Sequence, residues 1–356
     1  MYTSIHIRNF RSLDDLTIDG LKRINLFVGK NNAGKTSLLE GIFLLGGATS
    51  PNVAMTIGYL RGQRFDASRP EPDPIWRPLF ARLDTTKEIE IIARREEEAA
   101  ERRLSITAPE VSLVEYATPP EEDVARAGEE GPVRELQFRY LDAFGDSITR
   151  RASVDPKTGA VSAQRAQRLD FVRSSFVSAR SFSSLTRNMD QFGSLLRRKQ
   201  DHQVLEALRL LDPSIKRLEV VPEAGGSTIY ADMGLANLVP LLVCGEGVVR
   251  MFSIAVELTA ASGGVLLIDE IDNGLHHSVM PNFWTQLREL SRLHDVQIFA
   301  TTHNDELIRS ALTAFGEGYE DLGLYRLDRR DGGVKAVRYS EEALRGVAEA
   351  GFEVRG

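Results

Sequence analysis

Residues 24–36 read INLFVGKNNAGKT, a mostly apolar run followed by a loop that contains two glycines. The loop from Gly29 to Thr36 fits the P-loop pattern G-x-x-x-x-G-K-[ST], which surrounds the phosphates of a nucleotide with backbone N–H groups. The run 24–28 predicts a strand before the loop, and apolar residues at helical spacing in 36–45 predict a helix after it. Because the pattern stands in this strand–loop–helix context, it favours nucleotide binding over a chance glycine turn.

The positions of this loop predict particular contacts with a nucleotide triphosphate. Glycine at positions 29 and 34 lets the backbone approach a phosphate closely, because no Cβ is in the way. The Lys35 ammonium is placed to reach the β- and γ-phosphates, and the Thr36 hydroxyl is placed to bind Mg²⁺. The predicted nucleotide-binding residues of this segment are Gly29, Lys30, Asn31, Asn32, Ala33, Gly34, Lys35, Thr36 and Ser37.

A second apolar run, Val265–Ile268, ends in two acidic residues, Asp269 and Glu270. The run is typical of a central parallel strand that is covered on both faces. Asp269 is then placed to hold Mg²⁺, and Glu270 is the candidate general base that activates the attacking water. An ordinary strand followed by an acidic turn is the alternative, and the P-loop upstream favours the catalytic interpretation.

A third run, residues 296–302, predicts a strand that ends at His303. We expect this strand to lie beside the acid-bearing strand, which would bring His303 near the γ-phosphate; a purely structural histidine is the alternative. Between the two strands, residues 279–293 have an apolar face and predict an amphipathic helix that packs on the core. The predicted catalytic residues are therefore Lys35, Glu270 and His303.

The composition of the whole chain is that of a soluble globular protein. Its 356 residues are 42% hydrophobic and 27% charged, with a net charge of −7, which leaves room for a local basic groove. No apolar run is long enough to span a bilayer, and the N-terminus lacks a signal-peptide layout. Cys244 is the only cysteine, so an internal disulfide is excluded. These features predict a cytoplasmic protein without a membrane partner.

The P-loop, the Asp-Glu strand and the Thr-His strand occur in the order found in ABC-type ATPases. The amino-acid sequences around them resemble one group of ATPases more closely. The chain reads GEGVVRMFSIAVEL at 245–258, VLLIDEIDNGLHHSV at 265–279 and VQIFATTHNDELI at 296–308. These segments resemble the stand-alone bacterial AAA-family ATPases related to the OLD (overcoming-lysogenization-defect) nucleases. Such ATPases are in turn similar to the heads of chromosome-structural-maintenance (SMC) and RecF-type repair ATPases.

The resemblance implies a dimer in which two heads dock head to tail around two ATP molecules. The signature loop, which would contact the nucleotide of the other copy, corresponds here to Gly245, Glu246 and Gly247, and residues 271–276 occupy the D-loop position. The serine of the transporter signature is missing. Arg250 either adds charge at this loop or is an ordinary surface arginine. The Q-loop position, residues 178–180, has no glutamine, and Gln63 is a poor substitute.

The resemblance implies an α/β fold: an ABC-type head with a mixed central sheet, an antiparallel β subdomain and a helical insertion. We expect a single ATPase unit. Lobe I would cover residues 1–180, with a flexible loop near 117–132. The helical insertion would cover 181–214, and lobe II would cover 215–356 with the signature, the Asp-Glu strand and His303.

The leading functional hypothesis is a Mg²⁺-dependent ATPase with ATP-gated homodimerisation, possible higher oligomers, and a switch role in an antiphage or DNA-repair complex. The alternative is an ATP-bound scaffold that holds a separate nuclease or effector. An intrinsic nuclease is disfavoured because little chain follows His303, and a transporter is disfavoured by the altered signature. DNA is a further possible ligand, through basic residues of the insertion: Arg187, Arg197, Arg198 and Lys199.

Overall fold

A computed structural model describes most of the chain. It covers residues 1–48, 50–62, 76–109, 135–154, 161–163, 170–179, 185–223, 226–316, 319–330 and 333–350. The predicted flexible loop near 117–132, Gln63, Arg180 and the side chain of Arg187 lie outside the described residues. No helix of the described ranges is both long enough and apolar enough to cross a membrane.

Sixteen strands and eight α-helices occur in these ranges. The strands are β1 (Tyr2–Phe10), β2 (Leu13–Asp19), β3 (Ile24–Val28), β4 (Ile89–Arg95), β5 (Arg102–Thr107), β6 (Glu135–Leu141), β7 (Ser147–Val154), β8 (Val161–Ala163), β9 (Ser174–Val177), β10 (Arg217–Glu223), β11 (Gly226–Asp232), β12 (Val239–Pro240), β13 (Val265–Ile268), β14 (Gln297–Thr301), β15 (Leu322–Arg330) and β16 (Gly333–Arg338). The helices are α1 (Lys35–Gly46), α2 (Asn52–Leu60), α3 (Leu185–Arg197), α4 (Asp201–Arg209), α5 (Glu246–Ala260), α6 (Met280–Leu293), α7 (Asp305–Phe315) and α8 (Glu341–Ala350).

The chain divides into two compact units. The first contains residues 1–4, 18–39 and 172–356, and the second contains residues 5–17 and 40–171. The P-loop therefore groups with the strands that follow residue 172. The predicted lobe boundaries at 180 and 215 stay a prediction, although α3 and α4 do fall within the predicted insertion.

The first unit is built around a six-stranded sheet in the order β16-β15-β3-β14-β13-β9. Strands β15, β3, β14, β13 and β9 pair in parallel, and β16 pairs antiparallel with β15. The P-loop strand β3 and the acid-bearing strand β13 both flank β14, and every residue of these three strands is buried. The predicted mixed sheet is confirmed, and so is the predicted pairing of the acid-bearing strand β13 with β14, the strand that precedes His303.

Helix α5 lies deep in the core of the first unit. All its residues from Val248 to Thr259 are buried, and it packs against β9, β13 and the helices α3 and α4. Helix α6 buries the apolar face that its sequence predicts, with Phe283 and Trp284 almost fully enclosed. The antiparallel strands β10, β11 and β12 form a separate small sheet.

The second unit carries most of a seven-stranded sheet in the order β2-β1-β4-β5-β6-β7-β8. Its strands β4 to β8 pair antiparallel with their chain neighbours, as alternating apolar residues predict. The antiparallel β subdomain expected from the sequence is thus present.

Candidate nucleotide-binding and catalytic site

The P-loop joins β3 to α1 through backbone conformations that favour glycine. Gly29 has φ 139° and Gly34 has φ 94°. A Cβ on Gly29 would lie 2.4 Å from the Leu327 carbonyl oxygen, so a larger residue does not fit there. Helix α1 begins at Lys35, and its N-terminal N–H groups give the loop a positive end that suits phosphate.

The Lys35 side chain folds back over this loop. Its Nζ donates hydrogen bonds to the carbonyl oxygens of Gly29, at 2.7 Å, and Lys30, at 3.1 Å. The neighbouring Lys30, Asn31 and Asn32 are exposed, whereas Ala33 and Ser37 are buried. The loop therefore combines a fixed cation with exposed backbone, which is the chemistry that a triphosphate requires.

Asp269 links the P-loop to the end of β13. The Thr36 hydroxyl donates to its carboxylate, 3.0 Å from Oδ2 and 3.2 Å from Oδ1. The Thr301 hydroxyl also donates to Oδ1, at 2.7 Å. Asp269 is only 8% exposed, so these hydrogen bonds offset much of the cost of burying its charge.

Glu270 follows in a sharp turn, with φ 49°. Its backbone N–H donates to the Thr301 hydroxyl at 2.8 Å. Its side chain accepts a hydrogen bond at Oε2 from Asn273 Nδ2, at 3.0 Å, and the same amide donates to the Ala179 carbonyl at 3.2 Å. The carboxylate is thus held in place while remaining half-buried rather than enclosed.

His303 lies two residues beyond β14 and is exposed. Its neighbour Thr302 is tied down, because the Thr302 hydroxyl donates to Asp272 Oδ1 at 2.6 Å and its N–H donates to the Phe27 carbonyl at 3.1 Å. Among the described residues, the His303 imidazole has no hydrogen-bond partner. The structure thus brings Thr36, Asp269 and Glu270 together, and the role of His303 stays a prediction.

The signature candidate stands at the start of α5. Gly245 caps the helix with φ 110°, and both Gly245 and Glu246 are exposed. Gly247 packs tightly on the D-loop position, because a Cβ there would lie 2.3 Å from the Gly274 carbonyl oxygen. The first turn of α5 therefore presents open backbone on one side and contacts the Asp-Glu turn region on the other.

Arg250 is not a surface residue, so that one of the two alternatives is wrong. The side chain is completely buried, and its guanidinium donates to the carbonyl oxygens of Ser178, Asp269 and Glu270. Burial lowers the pKa of Arg250 to about 10, against the raising effect of Asp269, Glu270 and other nearby carboxylates. The group still stays protonated at neutral pH.

Sequence reasoning also missed the hydroxyl of Thr301 and the amide of Asn273. Thr301 belongs to a strand that the apolar pattern predicts, but nothing local marks its hydroxyl as the link between Asp269 and the Glu270 N–H. Asn273 follows Glu270 by three residues, a spacing at which the two side chains can meet across a turn. This spacing was the one local feature that could have indicated their hydrogen bond.

The oxygen atoms of Thr36 and Asp269 are of the kind that binds Mg²⁺. A hydroxyl and a carboxylate are hard oxygen ligands, and Mg²⁺ takes a few such protein ligands together with waters and substrate phosphates. The 3.0–3.2 Å approach of Thr36 to Asp269 places two such ligands side by side. The residues present therefore fit the metal.

Comparisons with known proteins agree with this arrangement. A family model described as "AAA domain, putative AbiEii toxin, Type IV TA system" matches residues 24–309. An "ATP/GTP phosphatase" of Helicobacter pylori is 22% identical over 331 residues, which is 86% of each chain. The RecF replication and repair protein of Geotalea uraniireducens is 50% identical over 42 residues, only 12% of either chain.

The fold is that of an SMC head. A solved SMC head bound to the C-winged helix domain of ScpA aligns with a TM-score of 0.51 and 16% identity, over 97% of this chain and 99% of that one. The expected likeness to SMC heads and to RecF is confirmed, while the closer likeness to OLD nucleases stays a prediction.

Proposed function

The chain is an ATPase that belongs to the family described as "AAA domain, putative AbiEii toxin, Type IV TA system", and we propose that its hydrolysis requires Mg²⁺ and is gated by head-to-tail dimerisation. The observation that carries this proposal is the pairing of the Thr36 hydroxyl with the Asp269 carboxylate at 3.0 Å. It joins the phosphate-binding loop to the strand end that bears the candidate base, so nucleotide binding and chemistry share one site.

In the proposed site, residues 29–37 bind the phosphates, and Thr36 and Asp269 hold Mg²⁺. When bound, Mg²⁺ would neutralise charge that develops on the phosphates. The Lys35 ammonium would leave the carbonyls of Gly29 and Lys30 for the β- and γ-phosphates. Glu270 would accept a proton from the attacking water, and His303 would hydrogen-bond the γ-phosphate or that water.

The exposed start of α5 supports the dimeric part of the proposal. A helix N-terminus is a favourable end for an anion, and here it is capped by a glycine whose surroundings are open. Gly245, Glu246 and Gly247 would contact the γ-phosphate held by the other copy. Apolar side chains of the segment 235–243, which precedes this loop, are also exposed, with Leu235 at 67% and Val243 at 69%, which suits a surface that a partner covers.

The decisive experiment measures the mass of the Glu270→Gln protein by light scattering, with and without Mg-ATP. Loss of the base should leave ATP bound and unhydrolysed, so the dimer should accumulate with Mg-ATP only. The matched control combines Glu270→Gln with Lys35→Ala, which should stay monomeric. A Glu270→Gln protein that binds ATP and yet remains monomeric at all concentrations would contradict the dimeric mechanism.

The biological setting proposed for this switch is an antiphage or DNA-repair complex, in which the ATP-bound dimer acts on, or holds, a separate nuclease or effector. The description of the matching family and the local similarity to RecF support this setting. DNA contact would use the exposed turn between α3 and α4, where Arg197, Arg198 and Lys199 lie side by side. Binding of duplex DNA should then weaken steeply as salt is added, and binding that is insensitive to salt would count against it.

A further inference from the structure

The guanidinium of Arg250 joins two strand ends inside the first unit. It donates to the Ser178 carbonyl, just after β9, and to the carbonyls of Asp269 and Glu270, just after β13; the Glu270 contact is 3.0 Å. All three acceptors are backbone carbonyls, so the contact holds the backbone in place where the chain leaves β9 and β13. The two terminal nitrogens of the planar guanidinium share this task, since Nη1 donates to Ser178 and Nη2 to Asp269 and Glu270.

Arg250 also belongs to the helix that begins at the signature candidate. It lies five residues after Gly245, about 7.5 Å along the helix axis at the rise of an α-helix. A helix moves as a rigid element, so a displacement of its first turn also displaces the guanidinium. The tight packing of Gly247 on Gly274 couples that first turn to the D-loop position as well.

The Glu270 side chain is held by the same segments. Asn273, next to Gly274, donates to Glu270 Oε2, and it also donates to the carbonyl of Ala179, the residue after Ser178. The backbone of Glu270 is therefore fixed by Arg250 and its carboxylate by Asn273. Arg250 and Asn273 both donate to carbonyl oxygens of the segment 178–179, which is the Q-loop position that lacks a glutamine.

We propose that Arg250 is a positioning residue for ATP hydrolysis, which transmits contact at Gly245–Gly247 to the Asp269–Glu270 turn. This inference rests on the proposed function, since it assumes that a nucleotide from the other copy touches the start of α5. Arg250 itself touches no substrate. It sets the direction of the Glu270 carboxylate according to the position of the signature helix.

The first test compares Arg250→Lys with Met251→Ala. Lysine keeps the positive charge but has one nitrogen in place of the two, Nη1 and Nη2, that serve the two strand ends. Met251 is a core residue of the same helix, 3% exposed, that contributes packing alone. We expect Arg250→Lys to lower kcat by about 10–100-fold, since small misplacements of a catalytic group have effects of that order. The affinity for ATP, measured by calorimetry in the Glu270→Gln background, should stay the same.

Thermal unfolding separates positioning from simple destabilisation. If Arg250→Lys and Met251→Ala lower Tm equally, and kcat falls only in Arg250→Lys, the positioning role is supported. Equal losses of kcat in both variants, or a loss of ATP affinity that matches the loss of kcat, would overturn it. If the Glu270→Gln protein with an intact Arg250 binds ATP but stays monomeric with Mg-ATP, the proposed function fails first, independently of these variants.

The second test asks whether Arg250 and the signature helix act together. Gly247→Ala should push the first turn of α5 away from Gly274 and lower kcat on its own. If both changes break one relay, the double variant should lose less than the product of the two single losses. Losses that multiply would show that Arg250 and Gly247 act independently and would refute the transmission.

Discussion

The Thr36 hydroxyl donates to both carboxylate oxygens of Asp269, at 3.0 and 3.2 Å. Thr36 is in the first turn of α1, and Asp269 directly follows β13, so one contact connects the loop that binds phosphate with the strand that bears the candidate base. The Thr301 hydroxyl extends the contact, since it donates to Asp269 and accepts from the Glu270 N–H. A chain of hydrogen bonds therefore runs from the P-loop to Glu270.

The Thr301 hydroxyl should contribute to both stability and turnover. Thr301→Val keeps the shape of the side chain but leaves the partly buried Glu270 N–H without its acceptor, which should cost about 1–3 kcal/mol of unfolding free energy. Turnover should fall because the Asp269–Glu270 turn loses its anchor. Chemical denaturation and steady-state ATPase assays measure the two effects.

Thr259→Val is the matched control for this change. Thr259 is also buried, but its hydroxyl donates only to the Ala255 carbonyl of its own helix, at 2.9 Å. We expect this variant to keep the wild-type turnover. If Thr301→Val also turns over normally, the hydrogen-bond chain has no part in catalysis.

Removal of Mg²⁺ should stop turnover, and loss of its proposed carboxylate ligand, Asp269, should raise the Mg²⁺ concentration that turnover requires. Chelation by EDTA should abolish ATP hydrolysis, and added Mg²⁺ should restore it. Asp269→Asn should raise the Mg²⁺ concentration needed for half-maximal activity by about 10–100-fold, because the amide is a weaker ligand and a poorer acceptor for Thr36. Asp295→Asn, at an exposed residue, is the control; full activity in EDTA would contradict the metal requirement.

The sequence predicts this site where its signals are local. The P-loop is marked by two glycines that the backbone requires, at φ 139° and 94°, and β13 by four consecutive apolar residues. Strand β9 carries only two apolar residues in four, and its extended state depends on pairing with β13, so its pattern is too weak to detect.

The burial of Arg250 could not be predicted for a related reason. Its acceptors lie 72, 19 and 20 residues away along the chain, at the ends of strands that meet only in the folded sheet. An arginine among apolar residues on a helix has no local feature that distinguishes a buried contact from an exposed one. The role of Thr301 is hidden similarly, because it depends on the register between β13 and β14.

Lys35 should be essential for nucleotide binding. Lys35→Ala removes the cation that the loop carbonyls of Gly29 and Lys30 hold over the predicted phosphate site. We expect ATP binding to fall below detection in calorimetry, without loss of folded protein by circular dichroism. Lys87→Ala, at an exposed lysine of the second unit, should bind ATP normally; unchanged affinity in Lys35→Ala would mean that the loop does not bind the phosphates.

His303 should matter for turnover and very little for the fold. Its imidazole is exposed and has no hydrogen-bond partner within the described ranges, so His303→Ala should change the unfolding free energy by less than about 0.5 kcal/mol. Hydrolysis should slow by about 100-fold, the effect of losing one polar contact that strengthens as charge develops. ATP affinity should hardly change. His202→Ala, another exposed histidine, is the control for both measurements. A variant that loses ATP affinity and turnover in equal measure would make His303 a ground-state binding residue, and a marked loss of stability would make it structural.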